Sequence, residues 1–379
     1  KTGVATPKTD QYIELTVHPR YKDNVERFVR VVRSIPMKES PEELMTRMQV
    51  LERNLLDPIT SASAALKLEA VGKDAVPVLK KGLTSTDVEV RFYAAEALAY
   101  LDDPSAAPAL ADIARDQPAF RAFALAAMGA MDGYEAFDSL KGLLDVASAE
   151  TRYGAFRALW AMNGRDPIVR DAGITDQFHY HVLDVAGPPM VHFTRNTRPE
   201  IVLFGKGQKL VPPVRIEAGP RILVNSLDGE RLSVSAFSVG QADQKRIVSH
   251  DLDEMIRAIA EFGGTYPDVV QALQQAKSTK ALAGRLEIEA VPQAGREFER
   301  NVAAETDETL TPEEEEAAAR TVGVSVGTPV PDLFKTDRKS PRAGRSTGGE
   351  SPPADEEKPA EDETQPGPLR RFLGKMAGK

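Results

Sequence analysis

The chain has 379 residues, of which 41% are hydrophobic, and a formal net charge of −9. This length and hydrophobic content predict about two or three domains with hydrophobic cores. No apolar run is close to the length of a membrane span, which is about 18–20 residues. The negative charge argues against a surface that binds nucleic acid. The absence of cysteine excludes disulfides, thiolate metal ligands and a cysteine nucleophile.

The first segment, predicted to span 1–38, contains a short strand followed by a helix. Residues 12–17 alternate apolar and polar side chains, as a half-buried strand does. Asn24 is placed to cap a helix whose apolar residues recur at helical spacing up to Pro36. Because this unit is too small to form a core alone, we expect it to pack onto a later part of the chain.

The segment 39–166 carries internal repeats with a step of 30 or 31 residues. One column is apolar, a second apolar column follows it three residues later, and a third column is arginine. These columns are Leu68, Leu98, Met128 and Leu159; Val71, Leu101, Met131 and Met162; and Arg91, Arg121 and Arg152. A fixed step of this size predicts a solenoid of paired helices in which each repeat packs against its neighbours.

The repeats resemble the HEAT family. The resemblance is clearest at 88–101, where an arginine precedes an alanine-rich helix of the Val-x-x-Ala-x-x-Ala-Leu type, and it covers about four repeats. Proteins with such repeats mostly bind partners, so the resemblance implies a scaffold. Trp160, beside Leu159 in the last repeat, is expected to close the solenoid rather than to bind a ligand.

The segment 167–300 is predicted to be β-rich with two helices. Asp228-Gly229 between two apolar runs predicts a hairpin. The helices are predicted near 251–262, ending at Gly263-Gly264, and from Asp268 onward. The predicted strands are 201–204, 214–217, 221–224, 232–235 and 285–289.

The segment 301–379 is rich in proline and charge, and its composition predicts disorder. Its end, residues 369–376, is basic and amphipathic. Such an end favours weak contact with a membrane or an acidic partner, although a solvated charged terminus is the simpler interpretation.

Candidate chemistry is limited to histidines. On a strand, His179 and His181 would present both imidazoles on one face, as a metal pair requires, with His192 across a hairpin as a third ligand and the nearby Asp184 to complete the site. The alternative is that they are ordinary polar or interface histidines, since no metal-binding motif accompanies them. Neither Gly205-Lys206-Gly207 nor the other glycines form a phosphate-binding loop. We therefore assign no catalytic, cofactor-binding or metal residue and expect no cofactor and no enzymatic activity.

A second resemblance concerns the flanks of the repeats. Residues 258–277 and 281–288 resemble the C-terminal end of the bacterial flagellar P-ring protein. The shared features are a helix, a turn that reads Gly-Thr-Tyr-Pro-Asp here, a glutamine-rich helix and a strand. Residues 200–216 and 12–35 are similar to earlier parts of that family. Tyr266 is an insertion in the turn, and the family has neither the repeats nor the tail.

This resemblance implies an α+β fold in which a HEAT-like α-solenoid is inserted into a small α/β ring-protein domain, followed by the tail. It also implies that the segment 1–38 packs on the domain 167–300, beyond the repeats. It implies a structural subunit of the periplasm or cell envelope that self-associates into a ring around the flagellar rod. An adaptor of another envelope complex is the alternative, and a metal-dependent enzyme using His179 and His181 is the third hypothesis.

Overall fold

The structure is a computed structural model that describes residues 5–195, 198–238, 240, 242–302 and 320–335. The chain begins with a hairpin of strands β1 (Ala5–Thr9) and β2 (Tyr12–Leu15), followed by helix α1 (Val25–Arg33). The Asn24 side chain accepts a hydrogen bond from the Arg27 amide, so the predicted cap is confirmed.

Eight further helices form the predicted repeats. The second helices of successive pairs stack on one another and form an inner layer, and the first helices form an outer layer. The inner layer is α3 (Ser61–Val71), α5 (Val88–Tyr100), α7 (Arg121–Gly129) and α9 (Ala149–Asn163). The outer layer is α2 (Pro41–Leu55), α4 (Val76–Gly82), α6 (Ala106–Asp116) and α8 (Tyr134–Gly142).

The repeated columns have a structural explanation. The column from Leu68 to Leu159 is fully buried, so the predicted phase of the repeats is correct. Each arginine of the third column donates to backbone carbonyls at the end of the preceding helix or in the turn after it. Arg91 binds the Ser85 carbonyl, Arg121 that of Ala114 and Arg152 that of Leu144, at 2.7, 2.9 and 2.7 Å. These arginines satisfy carbonyls that a helix end leaves unpaired.

Two four-stranded sheets follow the repeats. The first has the order β10-β4-β5-β3, and the second is an antiparallel meander in the order β6-β7-β8-β9. The strands of the first sheet are β3 (His179–Leu183), β4 (Met190–Phe193), β5 (Glu200–Phe204) and β10 (Arg285–Ile288). Those of the second are β6 (Arg215–Ala218), β7 (Ile222–Ser226), β8 (Arg231–Ala236) and β9 (Gln244–Ser249).

Two helices lie between β9 and β10, namely α10 (Leu252–Glu261) and α11 (Tyr266–Ser278). Gly263 has φ +76°, a left-handed conformation that favours glycine and agrees with the predicted helix stop. Helix α11 begins at Tyr266, two residues before the predicted start at Asp268, because Thr265 caps it in a box with Asp268.

The first sheet is a central layer with two apolar faces. Val202 and Phe204 of β5 join the core of the repeats, whereas Ile201 and Leu203 join the core formed with the second sheet and the two helices. Every residue of β4 and β5 is accordingly buried. The period of 2 along a strand therefore divides the chain into two hydrophobic cores that share one sheet.

Two expectations need correction. The predicted disordered tail began at residue 301, but strand β11 (Glu297–Val302) pairs antiparallel with β12 (Arg320–Ser325), and residues up to Lys335 are ordered after it. Segments 303–319 and 336–379, with the basic end at 369–376, lie outside the described residues. The described helices include none long and apolar enough to cross a membrane.

The first segment also packs differently from the prediction. Helix α1 lies against α3 of the repeats, and Asn24 donates to the Pro329 carbonyl at 3.3 Å. The expected contact was with the segment 167–300. The reason is electrostatic as well as apolar, because Arg27 of α1 finds its carboxylate partners on the inner layer.

Candidate interaction surface

The inner layer of the repeats is covered by the chain itself, first by the segment before α1. Arg20 donates to the carbonyls of Tyr100 and Ala130 at 3.5 and 3.3 Å, and Lys22 donates to that of Ala161 at 3.1 Å. These three carbonyls lie at the C-terminal ends of α5, α7 and α9. Cations are favourable there, since the helix dipole leaves partial negative charge at that end.

Arg27 is the centre of a buried ionic cluster under α1. Its guanidinium contacts Glu69 and Glu96, both at 2.6 Å, and donates to the Thr328 hydroxyl at 2.7 Å. It also lies 4.3 Å from the centre of the Tyr100 ring. Burial would lower the pKa of Arg27, but the two carboxylates outweigh it and raise the pKa, whereas burial raises the pKa of Glu96. The cluster joins α1, two inner helices and the C-terminal strand region.

The segment around β11 covers the opposite ends of the inner helices. Arg296 pairs with Glu150 at 2.6 Å, and Arg300 pairs with Glu89. Both glutamates lie in the first turn of their helix, α9 and α5, where negative charge is favoured. Phe298 packs on Phe120 with ring centres 5.0 Å apart.

The last inner helix, α9, is covered by the first sheet. The Tyr153 hydroxyl donates to the buried Glu200 carboxylate at 2.7 Å. Phe156 packs against His181 and Phe204 with ring centres 4.8 and 6.4 Å apart. The last end of the repeat array is thus a fully packed junction between helix and sheet.

The first end of the array has no comparable cover among the described residues. On α2 and the turn after it, Met45 and Ile59 are 67% and 73% exposed. The β1–β2 hairpin also exposes all nine residues of its two strands, including Tyr12 and Ile13 at 58% and 60%. We use the name open end for these two exposed regions of the first 59 residues, the hairpin on the one hand and α2 with the turn to Ile59 on the other. Apolar side chains concentrated on such a surface are typical of a site that binds another protein.

Among the clefts that open elsewhere on the described part of the repeats are the following two. One, of about 550 Å³, lies at the C-terminal ends of α7 and α9 beside Arg20 and Lys22. The other, of about 420 Å³, lies between α5 and α6 and is lined by Leu83, Arg91 and Asp112 among others. Both clefts are further surface on which a partner segment can bind.

The structure separates the histidines considered from the sequence. His179 and His181 do share one face of β3, with ring centres 6.3 Å apart. His192 lies on β4, and β5 runs between β3 and β4, so about 10 Å of sheet separates it from His181. A third ligand at His192 is therefore wrong. Its ring stacks on Tyr153 at 3.8 Å, and burial lowers its pKa to about 3.

Asp171, which no sequence pattern singles out, lies beside the pair instead of Asp184. The segment 169–172 runs along the free edge of β3, where the Ala172 amide donates to the Tyr180 carbonyl at 2.7 Å. Asp171 contacts His179 Nδ1 at 2.7 Å. Asp171, His179 and His181 each offer a ligand atom within 4.8 Å of the other two.

Comparison with known proteins agrees with the repeats. Residues 47–122 match the model of the HEAT-repeat family. No curated protein matches the chain significantly. Among solved structures, the complex of CpcE and CpcF of phycocyanin lyase from Nostoc sp. PCC7120 is similar, at 23% identity over 34% of this chain and 82% of that one, with a TM-score of 0.26. The chain therefore contains a HEAT-repeat module for protein interaction inside a larger α+β fold.

Proposed function

We propose that the chain is a non-enzymatic structural or scaffold protein that binds its partners through the open end. The observation that carries this proposal is the exposed apolar hairpin, whose strands pair only with each other within the described residues. An isolated two-stranded hairpin is marginally stable in water. Its unpaired edges are suited to adding to the sheet of another chain, with Tyr12 and Ile13 as side-chain anchors.

The finer proposal is a P-ring-like subunit of the bacterial flagellar basal body, located in the periplasm. It rests on the resemblance of 258–288, which corresponds to α10, α11 and β10 around the second core. In a ring, each subunit contacts its two neighbours through two different surfaces. The ring closes when the rotation that relates one subunit to the next is a whole fraction of a full turn. The hairpin is one such surface, and the repeats lie beside it for contact with the rod or a neighbouring envelope protein.

Deletion of the gene in its host, with imaging of the basal bodies, tests the finer proposal. Loss of the periplasmic ring and of swimming is the expected result. Complementation then tests the open end, since a gene carrying Ile13→Lys should fail to restore swimming. The matched control is Ile247→Lys, which changes a similarly exposed isoleucine on β9. It should restore swimming fully.

Intact basal bodies after deletion would exclude the ring role and leave an adaptor of another envelope complex. That second candidate uses the same open end. Equal complementation by the two lysine variants would exclude the hairpin as the binding surface in either case.

A further inference from the structure

The junction between α9 and the first sheet carries a group of side chains that scaffolding does not explain. Asp171, His179 and His181 lie together at the free edge of β3. Two imidazole nitrogens and one carboxylate oxygen are a donor set that suits zinc and similar divalent ions. We propose that this group binds one zinc ion, with solvent as the fourth ligand.

His181 is prepared to act as a ligand. Its ring is completely buried, and Nδ1 contacts the Val169 carbonyl at 2.7 Å. A carbonyl in this position accepts a hydrogen bond from Nδ1–H and fixes the orientation of the ring, as in the outer shell of many metal sites. Nε2 has no hydrogen-bond partner among the described residues. A buried nitrogen without a partner is costly, so a ring that can offer a lone pair to an ion gains from binding one.

Asp171 is held as a carboxylate. Its Oδ1 accepts hydrogen bonds from the Gly173 and Tyr180 amides at 2.9 and 3.3 Å, and its Oδ2 lies 2.7 Å from His179 Nδ1. The charged form is the one that binds a cation. About a third of this side chain and nearly half of that of His179 are exposed, which gives an ion and its solvent ligand a path to the site.

The spacing of the group is compatible with a tetrahedral ion. Zinc–ligand bonds of about 2.0–2.2 Å place neighbouring ligand atoms roughly 3.4 Å apart. The three ligand atoms are within 4.8 Å of one another, and small side-chain rotations bring them to that spacing. Arg157 and Arg198, which both lie over the Trp160 ring, do not carry free charge against it, because Arg157 pairs with Glu200 at 3.4 Å and Arg198 lies 3.7 Å from the same carboxylate.

The ion would act as a clamp. Asp171 belongs to the segment that leaves the repeats, His179 and His181 belong to β3, and both histidine rings contact Trp160 of α9 at 5.3 Å between ring centres. Zinc would therefore tie the sheet to the last repeat. Because a ligand that binds only the folded state stabilises it, zinc should raise the melting temperature of the chain.

Trp160 is the single tryptophan of the sequence and reports on this site. Chelator-treated protein is titrated with zinc chloride while tryptophan emission and binding heat are recorded. We expect a saturable change at one zinc per chain. Asp171→Asn and His179→Ala change partly exposed residues, and each should weaken binding at least tenfold. Asp176→Asn is the matched control, since Asp176 is exposed and lies outside the group, and it should bind like the parent.

Circular dichroism of each variant establishes that it is folded, and Asp171→Asn, the most conservative change, provides the decisive comparison if His179→Ala unfolds. Absence of saturable binding by the parent overturns the proposal. So does zinc binding that is equally tight in the parent and in folded Asp171→Asn. Failure of this site would leave the scaffold role untouched, because the open end contains none of its ligands.

Discussion

The two ends of the repeat array differ in what covers them. At the last end, α9 buries Tyr153 and Phe156 against a β-sheet and shares a hydrophobic core with it. At the first end, α2 and the following turn leave Met45 and Ile59 largely exposed. A solenoid needs a cap wherever its stacking stops, because the terminal repeat has only one neighbour. This chain builds one cap from its own sheet, whereas no described residue caps the other position.

The two layers of helices also differ in whether other parts of the chain cover them. The inner layer is covered at one set of helix ends by Arg20, Lys22 and α1, and at the other by β11 and the residues after β12. Partners can therefore contact the outer layer, the open end or the cleft beside Arg20 and Lys22. The HEAT architecture alone does not indicate this, since it leaves open which layer is free.

The largest expected effect tests the covered inner layer. Arg27→Ala leaves Glu69 and Glu96 buried without their cation, so the free energy of unfolding should fall by about 3–5 kcal/mol. Urea denaturation followed by circular dichroism measures it. Arg30→Ala on the same helix is the matched control. It removes an exposed pair with Glu26 and should cost no more than about 0.5 kcal/mol. Similar values for the two variants would contradict the buried cluster.

The covered last end is tested next. Phe156→Ala removes a fully buried ring from the junction between α9 and the first sheet. The expected loss is about 3–5 kcal/mol, as for other buried aromatic side chains. A thermal melt at neutral pH provides the measurement. A loss below about 1 kcal/mol would mean that the sheet does not pack on α9 as described.

The pH dependence of stability tests the same junction through the buried His192. Its pKa is about 3 in the folded chain because of burial, and about 6.5 when unfolded. Only the unfolded state therefore takes up the proton between these values. Stability is fully present above pH 6.5 and decreases by about 1.4 kcal/mol per pH unit as the pH falls toward 3. Stability measured from pH 7 to 4.5 should decline less steeply in His192→Gln. An equally steep decline in the parent and in His192→Gln would contradict the lowered pKa of His192.

The smallest effect is expected at the open end. Met45→Ser changes a side chain that is 67% exposed, so the free energy of unfolding should change by no more than about 0.5 kcal/mol. The same melts as for Phe156→Ala provide the comparison. A loss of 2 kcal/mol or more would show that α2 is covered in solution and that the array has no open end.

The sequence predicts those parts of the fold that depend on regular spacing. The fully buried column from Leu68 to Leu159 and the helices α10 and α11 follow from 3.6-residue periodicity and caps, although α11 begins two residues before its predicted start. Strand β12 was not predicted. Val322 and Val324 alternate with small or polar residues, but they stand within a charged, proline-rich segment whose overall composition predicts disorder. Its partner β11 comes before an intervening segment of 17 residues, 303–319. Local composition contains no information about such a partner.

The candidate site shows the same limit. The alternation at His179 and His181 correctly places both rings on one face of a strand. Asp171 was missed because its proximity depends on a segment that folds back along the edge of β3. His192 was wrongly included because the strand order places β5 between β3 and β4. Strand order depends on contacts throughout the domain, and no spacing in the sequence encodes it.

The bond from Arg27 to Thr328 joins residues 301 positions apart. A ribosome adds about 5–20 residues per second, so roughly 15–60 s separate the synthesis of the two partners. A pure solenoid folds from neighbour to neighbour as it emerges. Here the helices of the repeats can form early, but Arg27 and its carboxylates become fully enclosed only after Thr328 has been made. Completion of the fold should therefore be a late, slow step whose rate reflects long-range contact.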